Sequence, residues 1–215
     1  MSVDIFTWEN AHLFGDALPG QHRLRRKLFI DRQNYTVPVY KDLEYDQYDT
    51  PAATYVVRRD EQGVVRAVNR LIPTSLPYMI KDLWPDLLEQ ETVPSDWAVW
   101  ESSRFGVDND LDPQTRDRYL GELLCGVISF GLSNGVSWFI ALLTYPLIKR
   151  SLIDSGVDVE ILGRPRAIGG CPPAAPIRVN VTQASIEEIR RRKGLTGPVI
   201  SPRSLIGPES GRIAA

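Results

Sequence analysis

The chain has 215 residues, of which 43% are hydrophobic and 24% charged, and this composition is typical of one soluble globular domain. Its formal net charge of −2 provides no overall attraction to nucleic acid or to an anionic membrane, so we expect neither as a partner. With only two cysteines and two histidines, the sequence argues against a disulfide framework or a cysteine–histidine metal site, and it predicts a reducing, cytoplasmic setting.

The first third of the sequence predicts a helix, a long loop and a β-hairpin. Its start, "MSVDIFTWENAHLFGD", has early acids and no basic region before a long apolar run, so we expect no secretory signal. "QHRLRRKLFIDR" predicts a helix whose apolar face contains Leu24 and Leu28. "QNYTVPVYKDLEYDQYDTPA" is too rich in turn-forming residues for regular structure, and loops of that length are often functional. "ATYVVRRD" and "VVRAVNRLIP" then predict a hairpin.

The middle of the chain alternates helical and strand patterns. "PYMIKDLWPDLLEQ" predicts a short helix closed by Pro85, "AVWESSRFGV" a strand, and "DPQTRDRYLGELLCGVISFGLSN" a mostly buried helix. The stretch from Leu123 to Leu147 contains no charged residue, which raises the question of a membrane span. The turn signal Asn134-Gly135 within it favours a helix followed by a buried strand, "VSWFIALLT", so we expect no stable membrane insertion.

The C-terminal part combines regular elements with many prolines. "PLIKRSLIDSG" predicts a helix that ends at Gly156, "VDVEILG" a strand, and "TQASIEEIRRRKG" a helix capped by Thr182 or Ser185. Seven of the sixteen prolines lie from Pro165 onward, so we expect loose packing from about residue 165, apart from that last helix. The whole pattern predicts an α/β fold, a mixed sheet between helices, in a single domain of residues 1–215.

Four groups of residues carry possible chemistry. They are Arg25 with Phe29, the acidic run from Glu44 to Asp49, Arg70 at the end of the hairpin, and Glu101 with Arg104. Each group alone is explained most simply by surface ion pairs, which are common. Their combination in one sequence favours a functional site.

These groups give the sequence a family resemblance. It resembles the acyl-homoserine-lactone synthases of the LuxI type from about residue 20 to 165, although an aromatic residue differs at two positions. The family has tryptophan where this chain has Tyr35, and phenylalanine where it has Trp84. The matching positions are Arg25 and Phe29, Asp46 and Asp49, "RLIPT" from Arg70, "PYMIKDLWP", and the segment with Glu101, Ser103, Arg104 and Phe105.

The resemblance implies a GNAT-like fold, an α/β/α sandwich, and a two-step reaction that produces a quorum-sensing signal. An acyl thioester acylates the α-amine of S-adenosylmethionine, whose carboxylate then displaces methylthioadenosine from its own γ-carbon to close a lactone. S-adenosylmethionine is a substrate in this reaction, so the resemblance implies no cofactor and no metal.

The residue types suit this chemistry. The carboxylates of Asp46 and Asp49 and the aromatic faces of Phe29, Tyr35, Trp84 and Phe105 suit a substrate with a sulfonium and an ammonium. Arg25, Arg70 or Arg104 can hold the substrate carboxylate in bidentate geometry. Glu101 is the candidate base for the amine, which is largely protonated at neutral pH. Backbone N–H groups from Ser103 to Phe105 could stabilise the oxyanion.

Glu101 and Arg104 present a geometric problem. They are three residues apart, so in a regular strand their side chains point to opposite faces of the sheet. Either a β-bulge re-aims one of them, or they serve different purposes, with Arg104 bracing the loop that carries Asp46 and Asp49. We favour the second explanation.

An acyl chain requires an apolar tunnel. Candidate wall residues are Met79, Leu123, Ile128, Phe139, Ala141, Leu143 and Leu152. Ordinary core packing explains these residues equally well. The hydroxyl of Thr144 or Ser103 could bond a 3-oxo or 3-hydroxy substituent, or could simply be satisfied within the fold.

The sequence does not decide which acyl donor is used, and it allows two alternative functions. Basic clusters at Arg23/Arg26/Lys27 and Lys149/Arg150/Arg164/Arg166 could dock the acidic acyl carrier protein. The pyrophosphate-binding loop of most GNAT enzymes is absent, which favours the carrier protein over acyl-coenzyme A as the donor. A GNAT-like N-acyltransferase that forms no lactone is the alternative enzyme. A Mg²⁺ site at Asp46 and Asp49 is a weaker one, because two carboxylates are few ligands for that ion.

Overall fold

The computed structural model describes residues 3–32, 37–89, 92–168 and 171–205, and a mixed eight-stranded β-sheet lies at its centre. The strands in chain order are β1 (Val3–Thr7), β2 (Val39–Tyr40), β3 (Leu43–Glu44), β4 (Thr54–Arg59), β5 (Val65–Pro73), β6 (Val99–Val107), β7 (Trp138–Thr144), β8 (Val159–Ile161), β9 (Arg166–Ile168) and β10 (Cys171–Asn180). The order across the sheet is β1-β4-β5-β6-β7-β10-β8, with β9 also paired to β10, while β2 and β3 form a separate hairpin. Only the β6–β7 pair is parallel among these pairings.

Helices lie on both faces of this sheet. They are α1 (Ala17–Arg25), α2 (Met79–Leu83), α3 (Pro113–Ser133), α4 (Tyr145–Leu147) and α5 (Gln183–Lys193). Single π-helical turns follow α1 at Arg26–Asp31 and α4 at Ile148–Leu152, and short 3₁₀ helices occupy Ala11–Phe14, Pro85–Leu87, Ile153–Ser155 and Pro202–Leu205.

Successive side chains of β5 point to opposite faces of the sheet, and the core is accordingly divided into two layers. Leu71 belongs to the hydrophobic cluster under α3, whereas its neighbour Ile72 belongs to the cluster on the α1 side. This two-residue period is what a strand buried on both faces produces. The sheet is thus enclosed between α1 on one face and α3 with α5 on the other, and the predicted α/β sandwich is confirmed.

The longest helix begins and ends where its sequence signals indicate. The Asp112 side chain accepts hydrogen bonds from the backbone N–H groups of Gln114 and Thr115, and Pro113 occupies the first helical position. Gly135, with a φ of +69°, makes the turn that leads into β7. The uncharged stretch is therefore shared between a helix and a strand. Among the described residues, none of the helices has the length and hydrophobicity of a membrane-spanning segment.

The described residues after position 165, namely 166–168 and 171–205, are more ordered than the sequence predicts. β10 pairs with β7 from Ala174 to Asn180, and the side chains of Ala175 and Ile177 are fully buried. A proline removes one donor from a ladder, but the carbonyl of Pro176 still accepts a hydrogen bond from the N–H of Leu162 at 2.9 Å. The expectation of loose packing is therefore wrong for β10, and the proposed cap of α5 is correct, because Thr182 Oγ1 accepts from Ser185 N.

The N-terminal edge and the long loop also contain strands that the sequence does not reveal. β1 pairs with β4, and its Val3 exchanges backbone hydrogen bonds with Val199 and Ser201 at 2.7 and 2.8 Å. Within the predicted loop, β2 and β3 form a short hairpin whose strands have two residues each. Tyr35, the predicted loop aromatic, lies outside the described residues.

Candidate active site

A β-bulge in β6 determines which side chains reach each face of the sheet. β6 pairs Ser103 with Arg70 and Gly106 with Val68, so two residues, Arg104 and Phe105, lie opposite the single residue Asn69. Arg104 has a φ of +54°, a left-handed conformation that is uncommon for a residue with a side chain.

The bulge re-aims Arg104. Its Nη1 lies 3.4 Å from the Met79 sulfur, and the backbone N–H of Met79 donates to Glu101, so Arg104 and Glu101 share the face that α1 covers. Phe105 instead lies against the core under α3. One of the two explanations for the spacing of Glu101 and Arg104 is thereby confirmed.

Arg104 nevertheless bonds other carboxylates than Glu101. Its Nε donates to Glu44 Oε1 at 3.0 Å, and its Nη2 donates to Asp46 Oδ2 at 2.6 Å. The second explanation, that Arg104 braces the acidic loop, therefore also holds. The two explanations are compatible because the bulge brings the guanidinium within reach of that loop.

Arg25 ties the same loop to α1. Its two terminal nitrogens donate to the two oxygens of Asp49 at 2.7 and 2.9 Å, a bidentate pair, and its Nε donates to Glu44. Gln21, one turn earlier on α1, contacts Arg25 Nη1 at 3.3 Å. The helix therefore presents a guanidinium that reaches two acids of the loop at once.

Arg70 completes the network from the sheet. Its Nη1 donates to Asp46 Oδ1 at 2.5 Å and lies 3.1 Å from Asp49 Oδ1, while its Nε donates to Ser103 Oγ at 3.2 Å. Tyr55, on the neighbouring strand, donates its hydroxyl to Asp49 Oδ1 at 2.9 Å. Every arginine in the network thus bonds a carboxylate, and Asp49 accepts hydrogen bonds from Arg25 and Tyr55 and forms an ion pair with Arg70.

The network is buried and formally neutral. It joins the three guanidinium groups of Arg25, Arg70 and Arg104 to the three carboxylates of Glu44, Asp46 and Asp49. Both Arg25 and Arg70 have no exposed surface, whereas 11% of the Arg104 side chain is exposed. Burying charges is costly unless each is paired, so the matched number of opposite charges is what allows the network to exist inside the fold.

The arginines control the titration of the acids. Burial by itself would raise the pKa of Asp49, but the hydrogen bonds and charge of Arg25 outweigh burial and hold this pKa far below its ordinary value. Burial is likewise opposed at Asp46 by the charges of Arg70 and Arg104, and its pKa is lowered. Both groups are therefore carboxylates at neutral pH.

Glu101 lies next to this network but has a different environment. It is fully buried, and its oxygens accept from the backbone N–H of Ile80 at 2.8 Å and of Met79 at 3.3 Å, at the start of α2. Burial raises the pKa of Glu101, and the two N–H groups and the charge of Arg70 only partly oppose that rise. A carboxylate with a raised pKa is a stronger proton acceptor, which is the property a general base needs.

An apolar cavity of about 30 Å³ lies on the opposite face of the sheet, beneath α3. Its lining residues are Asn69, Ser102, Phe105, Leu124, Val127, Ile128, Phe139, Ala141, Leu143, Leu152, Val157 and Val179. Five of the predicted tunnel residues are in this set, namely Ile128, Phe139, Ala141, Leu143 and Leu152. Five of the seven predicted tunnel residues therefore line this cavity, and they make up fewer than half of its twelve lining residues.

Four other predicted residues lie elsewhere than expected. Leu123 is buried in the same core but is not among the cavity-lining residues, and Thr144 at the end of β7 is not among them either. Met79 lies on the other face, against Arg104. Phe105, which we expected near S-adenosylmethionine, lines the apolar cavity, because the bulge turns it toward α3.

Two of the predicted aromatic residues lie on the same side of the sheet as the ion network. Phe29, on the turn after α1, is half-buried, with its ring centroid 5.7 Å from the Arg104 guanidinium carbon. Trp84, at the end of α2, is half-buried against the hydrophobic cluster on the α1 side, which Phe29 also contacts. Both positions are compatible with a cation-binding wall, which stays a prediction.

The parallel pairing between β6 and β7 ends at this site. Its last pair is Ser102 with Ala141, although β6 continues to Val107 and β7 to Thr144. Beyond Ser102 the backbone groups of the two strands are no longer bonded to each other in the ladder. The end of the ladder, the bulge and Glu101 therefore occupy one short segment of β6.

The sequence interpretation missed two side chains that complete this region, and it named a third, Glu44, only as the start of the acidic run. Glu44 bonds Arg25 and Arg104, Tyr55 bonds Asp49, and Asn69 faces the bulge. Counting charges could have given Glu44 this role, because three buried arginines require three acids. Nothing in the sequence marks Asn69, because its role depends on the bulge.

Comparison with known proteins shows which family the chain belongs to. The family described as autoinducer synthase matches residues 13–189. An acyl-homoserine-lactone synthase of Pseudomonas aeruginosa is 32% identical over 151 residues, or 69% of this chain and 72% of the relative. An acyl-homoserine-lactone synthase of Ralstonia solanacearum is 30% identical over 182 residues, which are 82% of this chain and 89% of the relative. The solved structure of BjaI, a CoA-dependent acyl-homoserine lactone synthase with SAM and isopentyl-CoA, has a TM-score of 0.82 and 24% identity, covering 93% of this chain and 92% of that one. By the extent of these matches, the chain belongs to the autoinducer synthase family.

Proposed function

We propose that this protein is an acyl-homoserine-lactone synthase that acylates the α-amine of S-adenosylmethionine and then closes the lactone. One observation carries the proposal. A single segment of β6 has a buried base, Glu101, and the ion network on one face, and it borders the apolar cavity on the other. A polar substrate and an acyl chain can therefore meet at the bulge.

In the first step, Glu101 accepts a proton from the ammonium of S-adenosylmethionine, directly or through a water molecule. An α-amine with a pKa of about 8 is mostly protonated at neutral pH, so this proton must leave before the amine can attack. The amine nitrogen then forms a bond to the thioester carbonyl carbon, the carbon–sulfur bond breaks, and the thiol departs with a proton. Backbone N–H groups beyond Ser102, where the ladder ends, are the candidate donors to the oxyanion.

In the second step, the substrate carboxylate attacks its own γ-carbon. A carbon–oxygen bond forms, the bond from the γ-carbon to the sulfonium breaks, and methylthioadenosine leaves as a neutral molecule. The positive sulfur and the negative carboxylate cancel each other, so no further proton transfer is needed. The protein contributes by folding the substrate so that the carboxylate reaches the γ-carbon.

Arg104 is the residue of the network best placed to contact the substrate. It is the arginine of the three with exposed surface, and Phe29 lies beside its guanidinium. In this proposal Arg25, Arg70, Asp46 and Asp49 hold Arg104 and the loop in place, because their side chains bond one another. Direct contact of these four residues with S-adenosylmethionine is the further possibility that the resemblance implies.

The acyl donor is an acyl thioester, and we favour acyl carrier protein. Lys149 and Arg150 are exposed on the π-helical turn after α4 and could meet an acidic surface. Arg166, in contrast, pairs with Asp86, and Arg164 with Glu89, so their charges are partly compensated. The likeness to a CoA-dependent enzyme is a likeness of fold, so both donors belong in the test.

The test is an assay of the purified protein with S-adenosylmethionine and either acyl-coenzyme A or acylated carrier protein. Mass spectrometry should detect an acyl-homoserine lactone and methylthioadenosine in equal amounts. An acyl amide without methylthioadenosine would instead support the alternative, an N-acyltransferase that forms no lactone. Absence of S-adenosylmethionine acylation with both donor classes would refute the proposal. We place the activity in the cytoplasm, in keeping with the low cysteine content.

A further inference from the structure

Two polar side chains interrupt the otherwise hydrocarbon wall of the cavity beneath α3. They are Asn69 and Ser102, whereas the other ten lining residues are aliphatic or phenylalanine. Asn69 is only 1% exposed. A buried amide is costly unless its hydrogen bonds are made, so the partners of these two side chains determine what they can offer a ligand.

The hydrogen bonds fix the orientation of the amide. Asn69 Nδ2 donates to the carbonyl oxygen of Ser103 at 2.7 Å and lies 3.4 Å from that of Arg70. Carbonyl oxygens only accept, so this atom must be the nitrogen. Asn69 Oδ1 then accepts from Ser102 Oγ at 2.9 Å, which commits the Ser102 proton. The two oxygens therefore have only lone pairs left for a ligand.

The position of the pair defines which part of an acyl chain it would meet. Asn69 lies opposite the bulge, and Ser102 forms the last β6–β7 pair, directly after Glu101 in sequence. The pair thus lies at the end of the cavity nearest the proposed base. The carbons next to the thioester carbonyl, including the third carbon of the chain, would pass beside it.

We propose that Asn69 and Ser102 select acyl donors that carry a hydroxyl on the third carbon over donors that carry a 3-oxo group. This inference rests on the proposed function. A hydroxyl can donate to Ser102 Oγ while the bond from Ser102 to Asn69 stays intact. A keto oxygen can only accept, so it would face lone pairs, or would force Ser102 to turn and leave Asn69 Oδ1 without its donor.

One hydrogen bond made or lost corresponds to a preference on the order of tenfold in kcat/KM for the 3-hydroxyacyl donor over the 3-oxoacyl donor. The unsubstituted donor should fall between them, because it neither uses nor opposes the lone pairs. Four-carbon donors are the simplest probes, because a 3-hydroxyl or 3-oxo group on them is followed by only one methyl group.

The experiment compares 3-hydroxybutanoyl, butanoyl and 3-oxobutanoyl donors, each as a coenzyme A thioester and on acyl carrier protein, in the wild-type protein and in Ser102→Ala. In Ser102→Ala the preference for the hydroxyl should grow, because Asn69 Oδ1 loses its donor and can then accept only from the ligand's hydroxyl. A smaller ratio in this variant would overturn the inference. Leu143→Val is the matched control on the same wall, and it should alter rates while keeping the ratio of hydroxyl to oxo donors.

Each outcome has a definite meaning. Equal kcat/KM for the hydroxyl and oxo donors in the wild type, or a ratio that is unchanged in Ser102→Ala, would overturn this inference while leaving the proposed function intact. Lactone formation from none of the three donors would instead refute the proposed function, and this inference with it. Asn69→Leu instead frees the Ser102 proton to donate to a keto oxygen, so it should abolish the preference if the folded protein is recovered.

Discussion

Replacing Asp49 by asparagine tests whether the ion network holds the fold together. The substitution keeps the shape of the side chain but removes one negative charge from a buried set of three positive and three negative groups. One Asp49 oxygen, which now accepts from an Arg25 nitrogen, would become an amide nitrogen that faces another donor. The Tyr55 hydroxyl and the Asp46 N–H also donate to this carboxylate and would lose some of its charge.

Breaking one partner of a buried ion pair costs about 3–5 kcal/mol, and whole domains are stable by only about 5–15 kcal/mol. Asp49→Asn should therefore remove a large fraction of the free energy of unfolding. The measurement is urea denaturation followed by tryptophan fluorescence. The matched control is Asp117→Asn, since Asp117 pairs with Lys193 at 2.5 Å but is 55% exposed, and it should cost less than about 1 kcal/mol. A loss for Asp49→Asn no larger than for Asp117→Asn would refute the reasoning.

The remaining predictions concern catalysis, pH and the cavity. Glu101→Gln should abolish lactone formation while the calorimetric Kd for S-adenosylmethionine changes only a few-fold; full activity at neutral pH would exclude Glu101 as the base. The pKa values of Asp46 and Asp49 lie below those of the unfolded chain, so the folding stability that these carboxylates contribute is present at neutral pH and should be lost as the pH falls below about 4. Circular dichroism measured against pH should therefore show a smaller acid-induced loss of structure in Asp49→Asn than in the wild-type protein. Arg104→Lys cannot bond two carboxylates in the same way, so kcat/KM for S-adenosylmethionine should fall at least about tenfold; an unchanged value would place Arg104 outside the site. Ala141→Leu adds volume to a small cavity and should shift product formation toward shorter acyl chains by mass spectrometry, and an unchanged profile would mean that the chain binds elsewhere.

The sequence predicts elements whose signals are local. The start of α3 could be predicted because Asp112 and Pro113 are a cap and a first-turn residue in any context. β1 and β10 could not, because their existence depends on distant partners. Val3 bonds residues near position 200, and Ala175 pairs with Leu143 across the sheet.

The candidate site was predicted as a set of residues but not as an arrangement. The family resemblance assigned Arg25, Asp49 and Arg70 to one site, and they do meet. Their pairing with one another could not be read from the sequence, because it depends on how far a loop folds back onto α1 and the sheet. The exchange of faces between Arg104 and Phe105 is likewise a property of backbone torsion, which residue types do not encode directly.

The kink in β6 also determines which changes of chain length the fold can accept. One additional residue is accommodated there, and each side chain after it lies on the face opposite to the one that simple alternation would give. Deleting Arg104 would remove the extra residue and restore plain alternation, so Phe105, Gly106 and Val107 would keep the faces they have now. Transplanting this strand into another protein would therefore require the backbone torsion of the bulge as well as the amino-acid sequence. On a regular strand, the side chains after the bulge would point to the opposite faces of the sheet.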